Sequence, residues 1–467
     1  MNWNPEEEEE HYLSLSRFEA MLKTNKVFFF DSEEFEEIVL YYLDTGKTNL
    51  AKRALKLGLE QHPKSTGLRL VQVEMLVYEN HFDTAEQILN ELHNVEPTNE
   101  EIYIQKANVL SKKGEHQKAV ELLETALNYT DDYADVYSLI GMEYLFMDKL
   151  EAAKEYFIKC LQEDKDDYSA LYNVMYCFDF LEQRKEAVEF LNSFIDENPY
   201  SEVAWHQLGI KHYELKEYEL AVRAFDFAIV IDESFLGAYM EKAKSLEHLK
   251  KYKEAIVCYN HTLDIDDPTP YAYLRIGKCF EELGNKDKAI RNYRKVTVED
   301  PTSEKGWQAI IDLHIKEGKF KRALNYIDKA LDIDNENELY WTYYANVHYE
   351  LKNYEEAFKG YGKAIDYGTS NLDVFLIFAD MNMILGEYRE AVRVLMQVSE
   401  IYSENSEIEY RLAGLNFLLK KELIAKFHLS NALITNFDNH SVLSELFPKV
   451  FETKTVQKLI EKHKNPR

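Results

Sequence analysis

The sequence predicts an all-α protein in which one short helical unit is repeated along the chain. Twelve alanines recur at a constant interval of 34 residues: Ala51, Ala85, Ala119, Ala153, Ala187, Ala221, Ala255, Ala289, Ala323, Ala357, Ala391 and Ala425. If alanine is about a tenth of residues, chance would produce such a register about once in 10¹². The 467 residues include only 16 Gly and 9 Pro, so the composition also favours stacked helices that share one core.

One unit, Glu202 to Phe235, shows how the repeat is built, and we number its residues positions 1 to 34. The apolar face of a first helix contains Trp205, Leu208, Gly209 and His212, and that of a second helix contains Tyr218, Ala221, Phe225 and Ala228. Steps of three and four residues are those of an amphipathic helix. The polar pair Lys216 and Glu217 predicts a short turn, so each unit is predicted to form an antiparallel hairpin.

Two further positions recur with a clear physical cause. Small residues at position 8 let the two helices of a hairpin approach closely, and a leucine there is expected to cost about 1–3 kcal/mol by overpacking. Glycine is favoured just after a helix. The small residues are Ala107, Gly141, Gly209, Ala243, Gly277, Ala345 and Ala379, and the turn glycines are Gly46, Gly114, Gly284, Gly318 and Gly386.

This pattern resembles the tetratricopeptide repeat, W-x2-L-G-x2-Y followed by A-x3-F-x2-A and a closing proline, over about residues 32–435. The resemblance implies a right-handed α-α superhelix, a solenoid whose first helices line a concave groove for protein partners. We predict three segments: an acidic N-terminal segment and capping helix at 1–31, the tandem array at 32–435, and a C-terminal capping helix with a basic tail at 436–467.

The last unit departs from the pattern. Its first-helix markers, Tyr410, Gly414 and Phe417, run one residue late, whereas Ala425 of the second helix stays in register. This offset predicts a turn one residue shorter than elsewhere, and atypical terminal units are expected of capping repeats. Beyond the array, Lys449 to Lys464 is predicted to form one final helix, with Pro448 suited to its start.

The charge of the chain restricts its partners. The formal net charge is −29, and most of the excess lies in the first 200 residues. A phosphate-backbone partner needs a positive surface, so nucleic acid is excluded and basic or mixed-charge protein segments are favoured.

The start of the sequence has no basic and then apolar leader, and no apolar run reaches 18 residues. These absences predict no secretory signal and no integral membrane segment. The four cysteines show no CxxC spacing, which predicts a reducing, cytoplasmic location.

Motifs for chemistry are missing from the sequence. It contains no glycine-rich phosphate loop, no HExxH, no GxSxG and no complete metal-spaced Cys/His set. We therefore predict no enzymatic activity, no catalytic residues, no metal site and no cofactor. The four cysteines, Cys160, Cys177, Cys258 and Cys279, are predicted to be small buried apolar groups.

The resemblance implies that positions 2, 5, 9 and 12 face the groove, which yields a candidate partner-binding surface. Aromatic anchors come first, and a basic spot that could hold a carboxylate follows. The candidates at these positions are Tyr172, Tyr176, His206, Tyr213, Lys244 and Lys278, and Phe180 and Arg275 join them from the neighbouring positions 13 and 6. The alternative is that these side chains are solvated or paired with Glu247 and Glu281. Some family members bind a C-terminal carboxylate through a Lys-x3-Asn pair, an Asn in the next repeat and a Lys-x3-Arg pair in the third. At the matching positions this chain has His206 and Ile210, then Glu241, then Tyr271, so that set is missing.

The predicted function is that of a scaffold or adaptor that binds peptides or proteins along its groove. Two alternatives stay open at this stage. The array could be a regulatory sensor of a small peptide or metabolite, or a membrane-peripheral assembly factor that uses its basic tail. The tail carries Lys454, Lys458, Lys462, Lys464 and Arg467. The sequence leaves the oligomeric state open.

Overall fold

A computed structural model describes residues 5–24, 28–265 and 269–464, with side chains described from residue 13 onward. Within these ranges the chain forms 28 α-helices and one short 3-10 helix, with no strand. The all-α prediction is therefore confirmed. The chain divides into two compact units, Met1–Glu241 and Lys242–Arg467, and the boundary falls within one helix.

Helical hairpins account for most of the described chain. Helix α1, Pro5–Thr24, precedes them. Hairpins of the first half are α2 Ser32–Asp44 with α3 Thr48–Gln61, α4 Thr66–Tyr78 with α5 Phe82–Val95, α6 Glu100–Lys112 with α7 His116–Ala126, α8 Tyr133–Phe146 with α9 Leu150–Glu163, α10 Tyr168–Phe180 with α11 Arg184–Glu197, and α12 Glu202–Glu214 with α13 Tyr218–Ile231.

The second half continues the same alternation. Its hairpins are α14 Leu236–His248 with α15 Tyr252–Ile265, α16 Pro270–Glu282 with α17 Lys286–Glu299, α18 Glu304–Lys316 with α19 Phe320–Ile333, α20 Glu338–Glu350 with α21 Tyr354–Asp366, α22 Leu372–Ile384 with α23 Tyr388–Ser399, and α24 Ser406–Leu418 with α25 Glu422–Thr435. A 3-10 turn at Phe437–His440 leads into α26 Ser441–Leu446, α27 Pro448–Phe451 and α28 Lys454–Lys464.

Every hairpin turn in the described ranges is three residues long, and its middle residue, position 15, has a positive φ. Five of these residues are the predicted glycines, such as Gly114 at 78°. The other seven are Asn80, Asp148, Glu182, Lys216, Lys250, Lys352 and Lys420, with φ between 57° and 63°. A residue in the left-handed conformation ends the first helix and reverses the direction of the chain. The turn therefore keeps this conformation at all twelve positions, although it costs energy for a residue other than glycine.

The helices of a hairpin meet where position 8 faces position 24. A Cβ added at Gly209 would lie 2.5 Å from Cε1 of Phe225, and glycines 141 and 277 are covered in the same way by aromatic rings. The two positions complement each other in size along the chain: glycine faces Phe157, Phe225 or Tyr293, whereas Val39, Val73, Met175 and Ile311 share their units with Leu55, Leu89, Leu191 and Ile327. The core is therefore filled unit by unit.

The last repeat, formed by α24 and α25, differs from the sequence-based prediction. Helix α24 begins 34 residues after α22, and the turn before α25 has the usual three residues, so the predicted shorter turn is wrong. Ala413, not Gly414, occupies position 8. A Cβ on Gly414 would collide with the ring of Phe447, and the hydroxyl of Tyr410 donates to the carbonyl of Asn436 at 2.9 Å. The late pattern therefore reflects packing against the C-terminal segment.

That segment also differs from the single helix predicted over Lys449–Lys464. Helix α27 ends at Phe451 and α28 begins at Lys454. The break lets Phe447 and Val450 from one side, and Val456 and Ile460 from the other, enter the same buried cluster. Two short helices cover the end of the core where one straight helix would present fewer apolar side chains to it.

Candidate functional site

An exposed aromatic stripe runs along α10, in the first of the two compact units. Tyr172 and Tyr176 are each 46% exposed and Phe180 is 64% exposed. The rings of Tyr176 and Phe180 lie 4.4 Å apart between centroids. Val174 and Cys177 occupy the opposite, fully buried face of the helix. The structure thus brings these three predicted residues together on one accessible surface.

His206 and Tyr213, the other two candidates in the first unit, are less accessible. His206 is only 9% exposed, because its ring lies between Phe235, at 4.7 Å, and Phe225, at 5.7 Å between centroids. Burial lowers the pKa of its imidazole. Tyr213 packs edge-on against Tyr218 at 5.5 Å. His206 is therefore a packing residue and contributes no exposed anchor.

A buried lysine beside the stripe was not predicted from the sequence. Lys211 on α12 is 1% exposed, and its ammonium donates to Asp179 Oδ1 on α10 at 2.5 Å and to Glu214 at 3.4 Å. A buried charge requires such partners. The pair ties consecutive first helices together next to Phe180. Only the isolated acidic residue at 179 signalled this contact in the sequence.

The predicted basic spot of the second unit contains an engaged arginine. Arg275 donates to Glu247 through Nε at 3.0 Å and Nη2 at 2.7 Å. The hydroxyl of Tyr259 donates to the same carboxylate at 2.6 Å. Lys278 is exposed, and Lys244 lies 5.8 Å from the centroid of the Tyr271 ring. The guanidinium of Arg275 is thus paired with Glu247 within the fold, which is the alternative that the sequence left open.

The same arrangement recurs one repeat later. Tyr293 donates to Glu281 at 2.9 Å, and Lys316 of the next first helix donates to that carboxylate at 2.8 Å. Burial, followed by the hydrogen bond to Glu281, raises the pKa of Tyr293. Each carboxylate therefore joins the second helix of its own hairpin to the following hairpin. Charge-assisted hydrogen bonds of this kind are among the stronger polar contacts in proteins.

Much of the first-helix surface serves contacts between neighbouring repeats. In the described ranges, position 6 donates to position 9 of the preceding repeat at four places: Gln105 to Glu74 at 3.1 Å, Asn173 to the sulfur of Met142 at 4.0 Å, Tyr343 to Asp312 at 2.7 Å, and Arg411 to Asp380 at 3.0 Å. Arg275 turns to position 12 instead, because position 9 of the preceding unit is Lys244. These polar side chains therefore serve contacts between consecutive repeats.

A large apolar depression lies on helices α20 to α22, in the second of the two compact units. Its volume is about 540 Å³, and two adjoining depressions measure about 420 and 340 Å³. The first is lined by Tyr349, Tyr354, Glu355, Phe358, Ile377, Asp380, Met381, Ile384 and Leu385. Ile377 lines all three depressions, so they form one surface. We call it the α20–α22 surface.

Several of its apolar side chains are strongly exposed. Ile384 is 80% exposed and Leu385 64% exposed, and both stand at the end of α22. The ring of Phe358 stacks on Phe378 at 4.7 Å, which fixes one wall. Exposed apolar clusters of this kind mark binding sites on soluble proteins. This apolar surface was not among the sites predicted from the sequence.

The charge of the α20–α22 surface is acidic. Glu350 and Glu355 are exposed at its edge. Its one lining arginine, Arg411, is held by Asp380 at 3.0 Å and by Glu407 at 3.1 Å. The surface therefore offers an apolar floor with an anionic rim, which favours apolar segments flanked by cations.

The cysteines are buried, as predicted. Burial raises the pKa of the Cys160 and Cys279 thiols to about 12 and that of Cys177 to about 11. Thiols of this kind are poor nucleophiles at neutral pH. Across the described ranges, no group of three or more His, Cys, Asp or Glu side chains is placed to hold a metal ion. No described helix combines the length and the apolar composition that a membrane span requires.

Comparisons with known proteins follow the repeats. Tetratricopeptide repeat profiles match residues 76–142, 134–167, 236–268 and 271–303. A profile of anaphase-promoting complex, cyclosome, subunit 3 matches residues 316–398, which include most of the α20–α22 surface. Among curated proteins, subunit 3 of the anaphase-promoting complex of Schizosaccharomyces pombe is 25% identical over 140 residues, which is 30% of this chain and 21% of that protein. The match thus spans about a fifth of that relative.

Solved structures similar to this chain include other repeat proteins. A tetratricopeptide repeat protein from Parabacteroides merdae is 16% identical and aligns over 54% of this chain and 99% of its own, with a TM-score of 0.36. The Cut9-Hcn1 hetero-tetramer of the anaphase-promoting complex is 16% identical and aligns over 95% and 94%, with a TM-score of 0.30. By its repeat profiles and its helical hairpins, this chain belongs to the tetratricopeptide repeat family, whose members act as scaffolds for protein–protein interaction.

Proposed function

We propose that this protein is a non-enzymatic scaffold that binds a segment of a partner protein on the α20–α22 surface. The observation that carries the proposal is the coexistence of exposed Ile384 and Leu385 with a depression of about 540 Å³. A depression of that volume accommodates one or two large apolar side chains of a partner. Repeat scaffolds bind through such extended surfaces and need no closed pocket.

The acidic rim defines the partner more closely. Glu350 and Glu355 face a binding segment, whereas Arg411 is neutralised by Asp380 and Glu407. A segment with one or two apolar anchors and neighbouring Lys or Arg residues meets both features. The profile match at residues 316–398 supports assembly with other proteins, since that profile describes a subunit of a larger complex.

A selection experiment tests the site. We expect that random peptides displayed on phage and selected against the full chain will share an apolar anchor next to basic residues. The best selected peptide, labelled with fluorescein, should bind Ile384→Asp at least about tenfold more weakly than the unchanged chain, since a lost central anchor typically costs more than 1 kcal/mol. Fluorescence polarisation provides the affinities.

The matched control is Tyr176→Ala in the α10 stripe, which should bind the peptide unchanged. The same comparison keeps the earlier prediction open to test. Loss of binding in Tyr176→Ala, with Ile384→Asp unaffected, would place the function on the α10 stripe and contradict the proposal. Peptides without basic residues would contradict the role of the acidic rim.

A further inference from the structure

The outer face of α25 is apolar where the equivalent helices of the three preceding hairpins, α19, α21 and α23, are polar or charged. Leu423, Phe427 and Ile434, at positions 18, 22 and 29, are 86%, 61% and 74% exposed. The equivalent residues are Arg389, Arg393 and Glu400 in α23, Glu355, Lys359 and Asp366 in α21, and Lys321, Asn325 and Asp332 in α19. The last hairpin thus presents an apolar stripe that the three preceding ones avoid.

This stripe points directly away from the core. Ala425, Leu429 and Ala432 are fully buried on the opposite side of the same helix. At 100° per residue, Leu423, Phe427 and Ile434 lie about half a turn from them. Helices α26 to α28 continue the chain past α25 and leave these three side chains exposed. Exposure of this extent on a row of large apolar side chains marks an interaction surface.

The stripe is complementary to a second copy of itself. If two α25 helices pack antiparallel about a two-fold axis at their middle, residues whose numbers add to 857 face each other. Leu423 then meets Ile434 of the second copy, and Phe427 meets Ser430, so a large side chain enters the space left by a small one. An isologous contact of this kind needs a single surface that fits itself.

Charges around the stripe are balanced. Lys420 and Lys421 directly precede the helix, so the segment next to the stripe carries basic as well as acidic residues. Glu422 and Lys426 pair within one helix at 2.8 Å and add no net charge. The contact region therefore lacks the acidic excess of the chain as a whole, whose net charge of −29 opposes association elsewhere.

We propose that two copies of this chain associate through the outer face of α25, in an antiparallel two-fold dimer. The inference does not depend on the partner site of the α20–α22 surface. Because the contact is apolar while the remaining surfaces repel, raising the salt concentration should strengthen the dimer by screening that repulsion.

Sedimentation velocity of the full chain from about 1 to about 100 µM tests the dimer. We expect a concentration-dependent dimer, and we expect Phe427→Lys to raise its dissociation constant at least about tenfold. The matched control is Lys359→Glu, at the equivalent position of α21, which should leave the dimer unchanged. Circular dichroism before each run verifies that the variants keep their helix content.

Three outcomes would overturn the proposal: a monomer at every concentration, a dimer that survives Phe427→Lys, or a dimer that weakens as salt is added. The antiparallel register has its own test. Chains carrying Leu423→Cys and chains carrying Ile434→Cys, mixed and oxidised, should give more cross-linked dimer than either chain alone. Equal cross-linking in the separate chains would contradict that register.

Discussion

Replacing Gly209 by valine is expected to lower the free energy of unfolding by about 2–3 kcal/mol, because an added Cβ would lie 2.5 Å from Phe225. Phe225 is fully buried, and a close-packed core resists displacement of such a ring. The second substitution Phe225→Leu should rescue the first, since valine and leucine already face each other as Val39 with Leu55. Urea denaturation followed by circular dichroism measures the effect.

The double variant should be more stable than Gly209→Val alone, so the two changes should show a coupling free energy of more than 1 kcal/mol. Ile210→Val, at the neighbouring half-exposed position, is the control and should change stability by less than about 1 kcal/mol. Additive effects of Gly209→Val and Phe225→Leu would contradict the pairing of positions 8 and 24. Hydrogen exchange of α12 and α13 localises the change within the array.

The second large effect concerns Glu247 in the other unit. Glu247→Ala is expected to cost about 3 kcal/mol, because it removes the bidentate partner of Arg275 and the acceptor of the buried Tyr259 hydroxyl together. Increased hydrogen exchange in α15 and α16, together with a lower urea midpoint, would report the loss. Glu254→Ala, on an exposed position of α15, should cost less than about 0.5 kcal/mol.

Two variants separate the contributions. Glu247→Gln keeps an acceptor for Tyr259 but removes the charge facing Arg275, so its cost should lie between those of Glu247→Ala and Glu254→Ala. If Arg275→Ala added its full cost on top of Glu247→Ala, the pair would be energetically uncoupled. That result would contradict the role of this carboxylate as a link between consecutive repeats.

The repeat was predictable because its cause is local. The spacing of Ala221, Phe225 and Ala228 defines one helical face, and residues such as Gly114 mark the turn within each unit. The last unit was misread because the spacing of Tyr410 and Gly414 serves contacts with Asn436 and Phe447. Such contacts with the C-terminal segment have no counterpart in the repeat pattern.

The candidate site was predicted only in part, for the same physical reason. The stripe of Tyr172, Tyr176 and Phe180 follows from helical spacing on one element. By contrast, the burial of His206 depends on Phe225 and Phe235 from other helices, and the engagement of Arg275 depends on a carboxylate 28 residues away. Exposure of Ile384 likewise depends on which neighbours cover α22, and a position number does not contain that information.

Hydrogen–deuterium exchange of the full chain, with and without the selected peptide, tests the proposed function most directly. We expect slower exchange of backbone amides in α20 to α22, around Tyr349, Met381 and Ile384, because a bound segment restricts opening of the helices it covers. Unchanged exchange there, with protection confined to α10 or another part of the chain, would contradict it.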